Sequence, residues 1–157
     1  MFDAVSSASS RFNPPQFGDT IYVVTDGGDN RSSIRLPQLE DELIAHGVRV
    51  FVFLVNANAP FHTPEERQGP DYMEDLAQKT GGELIPLRSM EWFTKPEAAS
   101  LAKSLREQVA APNRMELQLT TPLSRPAKLS ITPAREPKAY TIVYPRRLEP
   151  CSKSAGQ

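Results

Sequence analysis

The stretch Thr20-Ile-Tyr-Val-Val-Thr-Asp-Gly-Gly-Asp-Asn30 constrains the fold more than any other: a continuous apolar run stops at Thr25 and gives way to a carboxylate followed by two glycines. An apolar run of this length, bounded by turn residues, reads as a strand buried on both faces, the pattern of a parallel sheet covered by helices. Asp26 then stands at the strand's carboxyl end, where open parallel sheets bind their ligands.

The segments on either side fit the same architecture. Phe2, Val5 and Phe12 mark one face of a short helix that begins without a preceding cap, as if cut into rather than started. After the first strand, Leu36, Leu39, Leu43 and Ile44 share a helical face, with Pro37 in the first turn and Gly47 as the stop. Val48 to Val55 is a second buried strand, and Asn56 to Gly69 reads as a long loop suited either to partner contact or to a plain connection. Tyr72, Met73, Leu76 and Ala77 return at helical spacing before Gly81-Gly82, and Glu83 to Leu87 forms a short third strand that Pro86 places at a sheet edge. Thr94 with Glu97 has the spacing of a capping box, and Ala98, Leu101, Ala102, Leu105 and Val109 follow on one helical face. Strands alternating with helices require parallel crossovers, so the fold class is α/β, with a partial Rossmann-like parallel sheet flanked by helices.

From Asn113 the period changes to two. Met115, Leu117 and Leu119, then Leu129 and Ile131, then Tyr140 and Ile142 alternate with polar residues, and proline-rich breaks separate them. This is the pattern of a small antiparallel extension over residues 113–145, following an α/β part over 1–111 and preceding a polar, disordered tail over 146–157.

Composition removes several function classes. In 157 residues, 18 basic side chains against 19 acidic ones leave a net charge of -1 with no basic run, which argues against a nucleic-acid partner. No stretch is apolar for long enough to span a bilayer, and the start carries no export signal, which leaves the compartment open. Cys151, the single cysteine, lies in the polar tail as an incidental thiol. His46 at a helix end and His62 in a loop have no acidic or cysteine cluster at ligand spacing, and no serine sits in a Gly-x-Ser-x-Gly elbow. Gly27-Gly28 lacks both the third glycine of a dinucleotide fingerprint and the lysine of a phosphate loop.

Asp26 remains the sharpest chemical candidate, with two readings. A carboxylate at a strand end, backed by Thr25 and a glycine turn, offers one oxygen ligand to a hard divalent cation. Alternatively, Asp26, Asp29 and Asn30 form a turn and help cap the next helix, a common role for Asp and Asn.

Ile21 to Asn30 followed by Ser32-Ser33 resembles the fourth strand and following loop of von Willebrand factor type A domains. Gly47 to Phe53 is similar to the next strand of that family, Leu76-Ala-Gln-Lys-Thr-Gly-Gly82 to the helix end before its last strand, and the region ending in Tyr144-Pro-Arg-Arg-Leu-Glu-Pro-Cys151 to the tail of its bacterial members. The family combines an Asp-x-Ser-x-Ser motif, a threonine from a later loop and an aspartate after the fourth strand into a metal-ion-dependent adhesion site for Mg²⁺ or Mn²⁺. Asp26 matches that aspartate; the serine motif and the threonine have no counterpart here.

The resemblance thus implies the second half of such a domain, over residues 1–111, with an incomplete metal site. In the intact family the cation bridges to an acidic group on a protein partner, and Asp26 would touch it through water. Gly27, Asp29 and Asn30 are the expected partner-contact loop, and intact members are often exported. A missing strand beside Thr20 to Thr25 would leave an apolar edge to be paired by a partner or by the absent half. The expected function is a non-enzymatic interaction module that holds no cation itself. The alternatives are a small Asp-dependent or receiver-like phosphotransfer enzyme, and a purely structural fragment of a larger protein.

Overall fold

The computed structural model describes residues 1–29, 31–55, 64–87, 94–110, 118–132, 144, 147–148 and 150. Residues 1–112 form one compact unit and 113–157 a second.

In the first unit, α1 (Phe2–Ser9), β1 (Thr20–Thr25), α2 (Leu36–His46), β2 (Arg49–Val55), α3 (Pro64–Thr80), β3 (Leu84–Leu87) and α4 (Lys95–Ala110) follow in order. The three strands are all parallel and lie side by side in chain order, with β2 in the centre. This is the α/β architecture expected of the sequence. The register sets Ile21, Val23 and Thr25 against Val50, Val52 and Leu54 on one face, and Tyr22 and Val24 against Phe51 and Phe53 on the other.

The first face carries the core. Phe2 and Val5 of α1, Leu39 and Leu43 of α2, and Met73, Leu76 and Ala77 of α3 close over Ile21, Val50 and Val52. Burying each large aliphatic side chain here contributes about 1.5–3 kcal/mol. Helix α2 ends as its sequence dictates: Gly47 takes φ 68°, and the Gly47 and Val48 N–H groups turn back to donate to the Ile44 and Leu43 carbonyls. At the end of α3 the buried Thr80 hydroxyl accepts from the Val50 N–H at 3.1 Å and donates to the Leu76 carbonyl at 2.8 Å, fastening helix to strand. Lys79 reaches Glu40 of α2 at 3.1 Å.

The opposite face is covered unevenly by α4. The capping box forms, with the Thr94 N–H donating to Glu97 at 2.9 Å and the Glu97 N–H to the Thr94 hydroxyl at 3.4 Å. At the other end of α4 the Arg49 guanidinium, lying over the Phe51 ring, donates to the Gln108 and Val109 carbonyls at 2.9 and 3.2 Å, a cation placed at a helix C-terminus.

Three expectations need correction. The uniform apolar run of β1 reads as buried on both faces, yet Tyr22 is 50% and Val24 70% exposed. Among the described strands the central one, β2, is the best covered, with Val50, Phe51 and Val52 all inaccessible. Second, α3 begins at Pro64, so the latter part of the supposed Asn56–Gly69 loop is helical, and Pro70 lies inside the helix. Gly69, read as the end of that loop, serves a packing role inside the helix: a Cβ on it would run into the Gly27 carbonyl oxygen. Asn56 to Thr63, including Phe61 and His62, lie outside the described residues.

Third, the described part of the extension departs from its alternation. In the second unit β4 (Ala127–Lys128) pairs antiparallel with β5 (Arg147–Leu148), and the Ile131 N–H donates to the Tyr144 hydroxyl at 3.3 Å. Leu129 and Ile131 follow β4 instead of forming a strand, and Leu119 is exposed outside any strand. The region expected as a disordered tail supplies β5, because a two-residue pairing carries no periodic signal. Met115, Leu117, Tyr140, Ile142 and Cys151 lie outside the described residues. No helix among the described residues is long and apolar enough to cross a membrane.

Candidate functional site

Strand β1 delivers its last residues to the rim of the sheet, where the loop to α2 begins. Thr25 starts the turn by accepting the Gly27 N–H on its hydroxyl at 3.0 Å. Asp26 follows with a side-chain oxygen accepting the Gly28 N–H at 3.3 Å, which is the Asx turn of the plainer reading. The Asp26 residue is exposed. Gly27 is buried, with φ 96° and its α-carbon facing Gly69 and Pro70 of α3, so it is no part of a surface that meets a partner.

Asp29 is the carboxylate that the structure uses. Its side chain is 5% exposed, and one oxygen accepts from the Met1 nitrogen at 3.2 Å while the other accepts the Phe2 N–H at 3.1 Å. The Arg31 and Ser32 N–H groups donate to it from its own loop. The Ser32 hydroxyl also accepts from the Met1 nitrogen at 2.9 Å and from the Asp3 N–H at 3.2 Å. In return the Asp3 carboxylate accepts the Ser33 and Ile34 N–H groups at 2.9 Å each. The two elements therefore cap each other: the rim loop satisfies the first amides of α1, and Asp3 satisfies the last amides of the loop.

This arrangement overturns part of both sequence readings of Asp29. It caps a helix, but the one that precedes it in the chain instead of α2, and its side chain is buried rather than set out on the loop's surface. Helix α2 has its own solution, with the Arg35 N–H donating to the Gln38 side chain at 3.2 Å. Asn30 lies outside the described residues. The missing cap of α1 was itself the available clue, because its unsatisfied amides demand acceptors from elsewhere in the fold.

The electrostatics follow the bonding. Burial pushes the Asp29 carboxyl upward, but the Phe2 N–H, Ser32, the Met1 nitrogen and the Arg31 N–H outweigh it and hold the pKa at about 2. The Ile34 and then the Ser33 N–H groups lower that of Asp3. Such shifts report groups committed to structure as readily as groups poised for chemistry. No group of three His, Cys, Asp or Glu side chains arranged to hold a metal ion occurs among the described residues.

A second feature lies away from the rim, on the other face of the sheet and beside the C-terminal part of α4. The Tyr22 ring packs toward Phe51 and Phe53 at 5.8 and 6.2 Å between centroids, while its outer side forms an open cleft of about 420 Å³ with Ala102, Leu105, Arg106, Val109 and Ala110 of α4. Tyr22 is the sheet residue that lines this cleft, across from α4.

No protein-family model matches the chain. No curated protein matches it either. Among solved structures, the crystal structure of an uncharacterized membrane spanning protein from Vibrio fischeri aligns with a TM-score of 0.44 at 11% sequence identity, over 65% of this chain and 52% of that one. The chain thus spans about half the length of that structure.

Proposed function

We propose that the chain is a non-enzymatic protein-interaction module, the second half of a von Willebrand factor type A-like domain whose metal-ion-dependent adhesion site is incomplete. The observation that carries this reading is the open face of β1, where Tyr22 and Val24, residues of a strand composed for burial, are 50% and 70% exposed. Adjacent exposed apolar side chains on a strand at a sheet edge mark a surface built to meet another chain. The sequential parallel sheet with Asp26 at its rim accords with the resemblance.

Within this reading Asp26 offers at most one oxygen to Mg²⁺, too few for a cation that takes near-octahedral coordination. Asp29, three residues on, is occupied in capping α1. Titration calorimetry with Mg²⁺ and Mn²⁺ on the chain and on Asp26→Ala tests the reading, with acetyl phosphate as a probe for an Asp-dependent rival. The expected result is no binding that depends on Asp26 and no phosphoryl adduct. Tight cation binding lost in Asp26→Ala would overturn the incompleteness of the metal site, and a stable adduct on Asp26 would establish the rival instead.

A further inference from the structure

We infer that the free edge of β1 pairs with β1 of a second copy of this chain, antiparallel across a twofold axis centred on Val23. The inference rests on the reading of the open face as an interaction surface, and names the partner.

Among the described residues β1 has a strand neighbour on one side only, so its outward backbone groups form a ready template. Directly opposed residues of an antiparallel pair point to the same face, so a twofold axis normal to the sheet joins residues of equal parity. Three registers bring most of β1 into such a pair. Centring on Tyr22 sets two tyrosines against each other and leaves Val24 facing Thr20. Centring on Val24 sets Tyr22 against the Asp26 carboxylate. Centring on Val23 alone opposes Tyr22 to Val24 twice, an aromatic against a β-branched side chain, and so covers both exposed residues together.

The cleft fits the same register. A side chain directly opposite Tyr22 stands about 5 Å from it on the same face. Here that side chain is the second copy's Val24, entering the space between Tyr22 and the α4 residues Ala102 and Val109. Charge is complementary as well. No residue from Thr20 to Thr25 is charged, so nothing repels along the edge. Asp26 of one copy falls opposite Thr20 of the other, near the C-terminal end of α4 that Arg49 fastens down and that carries the exposed Arg106. The twofold thus brings Asp26 and Arg106 of opposite copies together twice, and gives the exposed carboxylate a charged partner besides the Gly28 N–H.

Sedimentation of the 157-residue chain over a dilution series tests this. The expected result is reversible association to twice the 17.4 kDa chain mass. Val24→Lys puts a charge into the apolar cleft and weakens the dimer by roughly tenfold or more while the fold, followed by circular dichroism, is retained. Asp26→Arg and Arg106→Asp each weaken it, and the double variant recovers most of the loss. A single-chain mass throughout the series overturns the inference, as does a dimer indifferent to Val24→Lys or a charge exchange without recovery. A monomer that binds no cation through Asp26 still leaves the interaction reading standing, with a different chain as partner, so the two failures are distinguishable.

Discussion

The two faces of the sheet draw on similar residues and fare differently. Ile21, Val50 and Val52 lie beneath three helices, whereas Tyr22 and Val24, which follow Ile21 in alternation on the same short strand, stand half or more in solvent. The difference comes from neighbours. On the closed face α1 reaches over β1, while on the open face Phe51 of the central strand is inaccessible and Tyr22 of the outermost strand is left walling a cleft with α4. A strand's apolar content therefore records what it is designed to meet, while its place in the sheet decides what it has met already.

Mutations sharpen that contrast. The largest loss belongs to the closed face: Leu39 is inaccessible, and Leu39→Ala costs about 2–5 kcal/mol in urea unfolding through lost transfer energy and the cavity left behind. A loss below 1 kcal/mol would show the closed face to be loosely packed and the contrast false. Next comes Gly69→Ala, whose Cβ would run into the Gly27 carbonyl; separating α3 from the rim loop costs roughly 1–3 kcal/mol, read as a lowered melting temperature.

Asp29→Asn follows, at roughly 2 kcal/mol near neutral pH, because the folded carboxyl is held about two pKa units below its unfolded value of 3.8. The folded pKa is depressed, so this stability is fully present above the unfolded value and is lost as pH falls through the folded one. The gap between wild type and Asp29→Asn accordingly closes between about pH 4 and pH 2. A gap constant over that window would detach Asp29 from the capping of α1. Smallest is Val24→Thr on the open face, within about 0.5 kcal/mol when measured on dilute, dissociated chain. A loss comparable to that of Leu39→Ala would mean the face is covered after all.

Much of the fold was legible because its signals are local. The spacing of Leu36, Leu39 and Leu43, the glycine stop at Gly47 and the Thr94–Glu97 box each follow from residues within a few turns of one another, and each forms. Pro86 does lie on an edge strand. The misses involve residues brought together from afar. Gly69 reads locally as the end of a loop, but it lies inside α3, and the approach of Gly27, over forty positions earlier, accounts for the glycine. Asp29 carries the composition of a cap without saying for which helix, and its target lies 27 positions back along the chain. The exposure of Val24 was illegible for a related reason: alternation is lost in a uniformly apolar run, so nothing local separates an edge strand from a central one. At the candidate site the sequence marked the right loop and could not apportion its carboxylates.

The mutual capping of α1 and the rim loop also bears on how the domain opens. Hydrogen bonds spanning 27 to 31 positions join Phe2 and Asp3 to Asp29, Ser32, Ser33 and Ile34, so neither segment keeps its bonded amides when the other departs. Hydrogen exchange at Phe2, Asp3, Ser33 and Ile34 is then governed by one shared opening, and a surface loop acquires the protection of the helix it holds.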